Sequence, residues 1–151
     1  WYGFLREVFH EWVAIGDPEI EIRELTEIIA WLSKTADPCC TSLGTCGHWF
    51  VVDYNGDIRP CEMFGNEVTY GNILTHTFED VLRTHKHQEL VWVQSQKPDK
   101  CMRCEFLTVC NNGCTKMRTL DGKPNVLGLY AYCEQRLALF REVKSTFEVA
   151  V

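Results

Sequence analysis

Long apolar runs are missing from this sequence: none of its 151 residues lies in a stretch approaching the roughly 18 that cross a bilayer, so no membrane-spanning helix is expected. Basic residues are in deficit. The 15 Lys and Arg are outnumbered by 21 Asp and Glu, a formal charge of −6, which argues against nucleic acid as a partner because phosphate binding needs a positive surface. Internal repeats and low-complexity tracts are also lacking, which leaves no sign of a solenoid or a disordered array. No secretory signal is visible, and the first residue is Trp1 rather than Met, so the chain is expected to be a piece of a longer protein. Its length holds one domain but not an enzyme barrel, which needs about 200 residues or more.

Cysteine is what the chain has in excess, with nine, above ordinary usage yet short of the roughly 8–10% of small disulfide-built scaffolds. An odd count, no signal peptide and clustered spacing favour reduced thiols acting as metal ligands, and with them a cytoplasmic location, over a secreted disulfide framework.

Between the cysteines the chain reads as short elements. Trp1, Phe4, Leu5, Val8, Phe9, Trp12 and Val13 recur at three- and four-residue intervals and predict one helix face, ending near Gly16-Asp17-Pro18. A second helix is predicted from Glu24 to Ser33 with Leu25, Ile28, Ile29 and Leu32 inward, after a short alternation, Glu19 to Ile22, that suits a strand. From Asp37, residues Pro38, Cys39, Cys40, Gly44, Cys46 and Gly47 make a turn-rich ligand loop. Trp49 to Tyr54 reads as a strand, Asn55-Gly56 as a tight hairpin turn and Asp57 to Arg59 as the return, which brings the Cys46 end towards Cys61. Thr77 with Asp80 forms a capping box for a helix to about Val93, with Phe78, Val81, Leu82 and Leu90 available for burial, and a last helix runs from about Glu134 to Phe147. His10, His48, His76, His85 and His87 are scattered, and His85 and His87 face different ways on one helix, so solvated side chains are expected rather than a histidine metal site.

Four thiolates suit either zinc or an iron–sulfur cubane. The spacing is C-x5-C-x14-C (Cys40, Cys46, Cys61), then C-x2-C-x5-C-x3-C (Cys101, Cys104, Cys110, Cys114), then Cys133, enough for two sets of four. A zinc ribbon brings two C-x2-C knuckles to each metal, and only one such pair is present, so zinc fits poorly but stays open as a structural, partner-binding alternative.

The order Cys46, Gly56, Cys61, then Cys101, Cys104, Cys110, Cys114, then Cys133 resembles the SPASM signature, the auxiliary-cluster domain of radical SAM enzymes such as anaerobic sulfatase maturases and peptide-modifying maturases. Cys40 falls where the sulfatase maturases carry one more ligand. The resemblance implies an α+β, SPASM/twitch-like fold: a small β-hairpin, two cluster-binding cysteine loops and flanking helices. It implies two [4Fe-4S] clusters with interleaved ligands, the first on Cys40, Cys46, Cys61 and Cys114 and the second on Cys101, Cys104, Cys110 and Cys133, with Cys39 a spare thiol. Residues 1–36 are then a helical connector or the end of a preceding radical SAM barrel, and 37–151 the SPASM-like domain.

The C-x3-C-x2-C loop that cleaves S-adenosylmethionine is absent here, so that cofactor and a third [4Fe-4S] cluster are expected in the preceding barrel. The implied partners are that barrel, a peptide or protein substrate, and an electron carrier such as flavodoxin or ferredoxin. The implied activity is oxidoreductive modification of a peptide, by formylglycine formation or crosslinking; a stand-alone iron–sulfur electron carrier is the alternative. Sulfatase maturases place an aspartate after the second motif cysteine, implied there as the catalytic base; here the residue is Glu62, which keeps the carboxylate with a longer reach. Lys97, Lys100, Arg103, Lys116 and Arg118 flank the second cysteine loop and either offset cluster charge or are ordinary solvated cations. Gly113, beside Cys114, is expected to let backbone approach a sulfur.

Overall fold

Leu5 and Phe9, one turn apart on the first apolar stripe, anchor helix α1 (Tyr2–Ile15) against the last helix, α8 (Cys133–Phe147). The computed structural model describes residues 2–35 and 40–147. Helix α2 (Arg23–Ser33) packs on α8 as well and buries Leu25, Ile28, Trp31 and Leu32. Leu139, Phe140 and Val143 of α8 are fully buried in the same core, where Phe106 meets Phe140 edge-on with ring centroids 5.4 Å apart. Each such side chain contributes about 1.5–3 kcal/mol. A polar clamp closes the rim: Tyr2 Oη donates to Glu142 at 2.9 Å and Arg6 Nε at 3.0 Å, and His10 Nε2 lies 2.7 Å from the same carboxylate.

Two expectations for this region fail. Phe4 is 67% exposed, so the buried stripe is narrower than the periodicity suggested. The alternation at Glu19–Ile22 forms no strand, because Asp17 organises a turn: its Oδ1 accepts from Glu19 N and its carbonyl from Ile20 N.

A second, smaller core gathers Ile58, Phe64, Tyr70, Val81 and Leu90. Its sheet is antiparallel in the order β1 (Val51–Val52), β2 (Asp57–Arg59), β3 (Gly71–Asn72), with the hairpin closed by Asp53 N on Asp57 O and Gly56 at φ 85°. The predicted helix from Thr77 is two helices, α4 (Phe78–Arg83) and α5 (His85–Ser95). The capping box forms, but Thr84 adopts extended backbone and its hydroxyl accepts from His87 N, which starts a new helix. The turn at Thr84 leaves Phe78 and Leu82 exposed while Val81 and Leu90 are buried.

Single-turn helices α3 (Cys40–Leu43), α6 (Asp99–Met102) and α7 (Leu107–Cys110) carry cysteines. A second antiparallel sheet, unanticipated from sequence, sets β4 (Arg118–Leu120) between β5 (Lys123–Pro124) and β6 (Leu129–Tyr130). The architecture is α+β as expected, and among the described residues no helix is long and apolar enough to cross a membrane.

Candidate functional site

The eight described cysteines fall into two groups of four, each lining its own cavity. Cys40, Cys46, Cys61 and Cys114 line a cavity of about 590 Å³ beside the smaller core. Cys40 comes from α3, Cys46 from the tight turn in which His48 N bonds Thr45 O, and Cys61 from the end of the hairpin. Cys101, Cys104, Cys110 and Cys133 line a second cavity of about 380 Å³ against the helical core. Here α6 supplies Cys101 and α7 Cys110, Cys104 stands in the turn between them, and Cys133 is the first residue of α8.

Cys110 and Cys114 are near in sequence yet face different cavities, and the backbone between them explains how. Asn111, Asn112 and Gly113 are consecutively left-handed, at φ 48°, 65° and 58°. Such a run costs roughly 1–2 kcal/mol at each non-glycine residue and is held only where the surroundings enforce it. Asn112 supplies that constraint, being buried with Nδ2 donating to Gly128 O and Oδ1 accepting from Tyr130 N. At Gly113 the close neighbour is the Tyr130 ring, 2.6 Å from where a Cβ would stand, rather than a sulfur.

Burial pushes the Cys101 thiol up to about 11, and pushes those of Cys114 and Cys133 up as well. These groups are thiols until a cation displaces their protons. Burial also raises the Tyr70 phenol, followed by the proximity of Cys46 and Cys61. Several buried polar atoms have no partner among the described residues: Thr45 Oγ1, next in sequence to Cys46, and Tyr70 Oη, Gln94 Nε2 and Arg118 Nη2. Native interiors rarely tolerate such groups unless a ligand or water satisfies them. Sequence reasoning missed Tyr70, Thr45 and Gln94, since nothing in a lone Tyr, Thr or Gln signals a buried polar atom without a partner.

Among the described residues no three Cys, His, Asp or Glu groups converge tightly enough to hold a single metal ion. A cubane takes one thiolate at each of four separate irons, so donors spread around a cavity wall fit it better than they fit a lone tetrahedral ion. The two thiol sets therefore fit iron–sulfur groups.

Other sequence-predicted residues land as follows. Glu62 is exposed on the wall of the first cavity, beside exposed Trp49 and Met63. Cys39 lies outside the described residues. Lys100 pairs with Glu134, and Lys116 with Glu67 while it sits 5.3 Å above the Phe64 ring. Arg103 is exposed on the second cavity's rim, whereas Arg118 is buried. Four histidines are exposed as expected, but His87 is buried, because the helix break turns it inward onto Phe50 and Tyr70.

An α+β unit with two four-thiol cavities suits the binding of iron–sulfur clusters, and known proteins resemble it. Residues 39–105 match SPASM, an iron-sulfur cluster-binding domain. Beyond that segment the chain is similar in sequence to anaerobic sulfatase-maturating enzymes. It is 32% identical over 150 residues to the serine-type anaerobic sulfatase-maturating enzyme of Bacteroides thetaiotaomicron, covering 95% of this chain and 35% of that protein. The cysteine-type enzyme of Clostridium perfringens is 26% identical over 141 residues, 91% of this chain and 38% of the relative. The chain thus spans little more than a third of these relatives. Its fold matches native anSMEcpe with bound AdoMet and Cp18Cys peptide at a TM-score of 0.78 and 24% identity, over 97% of this chain and 41% of that one. Native anSMEcpe with bound AdoMet matches at a TM-score of 0.76 and 23% identity, over 97% of this chain and 39% of that one.

Proposed function

We propose that the chain is the C-terminal part of a radical SAM enzyme that oxidatively modifies a peptide or protein. Residues 37–151 form the unit that holds two [4Fe-4S] clusters, and residues 1–36 lead into it from the preceding barrel, which supplies S-adenosylmethionine and a third cluster. The observation that carries this reading is the sorting of eight cysteines, four and four, into two cavities. Cys40, Cys46, Cys61 and Cys114 hold the first cluster; Cys101, Cys104, Cys110 and Cys133 hold the second. Clusters of this kind supply one-electron acceptors and donors.

The chain's own side chains do the positioning. Trp49 and Met63, exposed at the first cavity, offer an apolar lip for a peptide segment, and Glu62 beside them takes a proton from the residue being oxidised. Lys100, Arg103 and Arg141 on the second cavity's wall suit docking of an acidic electron carrier such as flavodoxin or ferredoxin. A cysteine spacing that reads as ligands rather than a disulfide framework suits a cytoplasmic location.

The serine-type relative shares more residues with this chain than the cysteine-type one does, so serine oxidation to formylglycine is the first substrate to test. The assay is mass spectrometry of serine- and cysteine-containing sulfatase peptides after incubation with the full-length enzyme, S-adenosylmethionine and reductant. An aldehyde at the target residue supports the reading. A crosslinked peptide supports the second reading, which Glu62 in place of the family aspartate favours. Peptides left unmodified while the cofactor is cleaved overturn both. Glu62→Gln is expected to lower product formation and spare cofactor cleavage; undiminished product removes Glu62 from the reaction.

A further inference from the structure

Arg118 heads the fully buried side chains of the described residues, at 1% exposure, and its guanidinium keeps its charge at any ordinary pH. An uncompensated charge in such a place is strongly disfavoured. No carboxylate among the described residues pairs with it: Nε donates to Asn112 O at 3.2 Å, Nη1 to Val93 O at 3.3 Å and Val126 O at 3.2 Å, and Nη2 has no partner. Lys97 stands near it, half-buried, with Nζ donating to Gln94 O at 2.6 Å. Two like charges are therefore brought together where water is scarce.

The groups that surround them resolve the imbalance. Burial disfavours the charge on Arg118, and Cys46, Cys101, Cys114 and Cys110 favour it once they are thiolates. Burial and Arg118 likewise disfavour the charge on Lys97, and Cys101, Cys110 and Cys46 favour it. Geometry ties Arg118 to both sites, because the Asn112 carbonyl that its Nε holds lies between Cys110 of the second cavity and Cys114 of the first. A cubane with four thiolates carries a net charge of about −2 before it accepts an electron, which supplies the missing anion on either side.

We propose that Arg118, with Lys97 beside it, is a buried cationic bridge between the two cluster sites that raises the reduction potential of both. This rests on the two-cluster reading above. A fixed positive charge stabilises the more negative reduced state of a cluster, and a hydrogen bond from the unpartnered Nη2 to a sulfur acts in the same direction. The bridge is a positioning and tuning device, and it lies apart from Glu62 and the substrate-facing lip. Asn112, whose carbonyl receives Nε, also shapes the left-handed run that separates Cys110 from Cys114, so the guanidinium is fastened to the segment that divides the sites.

The experiment is an EPR-monitored redox titration of the anaerobically reconstituted chain beside Arg118→Gln and Arg118→Lys, with iron and sulfide counted in each. Arg118→Gln with full iron is expected to show both midpoint potentials moved to more negative values, and Arg118→Lys to recover much of the shift. Unmoved potentials in an iron-replete Arg118→Gln chain, or equal shifts in the Gln and Lys variants, overturn the bridge. Where Arg118→Gln fails to retain iron, Lys97→Met carries the test: a smaller negative shift at both clusters supports the bridge and no shift overturns it. An unaltered chain that takes up no iron or sulfide overturns the two-cluster reading itself, and the bridge with it.

Discussion

His87 Nε2 lies 2.9 Å from the carbonyl oxygen of Gly47, and its Nδ1 lies 3.0 Å from that of Leu82. One buried ring thereby ties the end of α4 and the loop after Cys46 to α5. Gly47 is fitted to this contact: its φ is +93°, and a Cβ there would stand 2.7 Å from Val91 Cγ2. A neutral ring donates its one N–H to one of these carbonyls, so His87→Leu leaves that acceptor without a partner, at about 1–3 kcal/mol. Gly47→Ala adds backbone strain and a clash of about 1–3 kcal/mol. Urea unfolding should show both variants with lower midpoints, and a wild-type midpoint for either would refute the tie.

The division between Cys110 and Cys114 makes a sharper prediction. Cys114→Ala should empty the site of Cys40, Cys46 and Cys61, and Cys110→Ala the site of Cys101, Cys104 and Cys133. Each variant should retain about half the iron of the unaltered chain, with different EPR signals surviving. Loss of the same signal from both variants would mean that the two thiols serve one cluster.

How much of this was legible beforehand follows from which signals are local. The capping box at Thr77, the Asn55-Gly56 turn and the apolar spacing of Leu25, Ile28 and Leu32 are encoded within a few residues, and each formed as read. Thr84 also carries its signal locally, but a threonine in a helical pattern is ambiguous until its hydroxyl is seen to cap His87 N. Strands β3 to β6 span two or three residues each, too short for any periodicity. The cysteine spacing predicted eight ligands. The burial of Arg118 depends in part on a contact between residues 25 apart, its bond to the Val93 carbonyl, and no local pattern records that.

Acid should act on the hairpin through Asp53. Arg59 Nε donates to its Oδ2 at 2.6 Å, and this hydrogen bond holds the carboxyl below its usual range. A carboxyl depressed in the folded state contributes stability above its unfolded value of about 3.9, and that contribution is lost as pH falls through the lower folded value. Asp53→Asn should therefore melt below the unaltered chain at pH 7, with the gap closing as pH drops below about 4. A gap independent of pH would show that the ion pair is not its source.

The central claim is that eight thiols hold two cubanes, and iron and acid-labile sulfide counted per chain after anaerobic reconstitution test it most directly. The account predicts about eight of each, with broad visible absorption that bleaches on reduction. Zinc bound without sulfide, in a chain that stays folded, would contradict it.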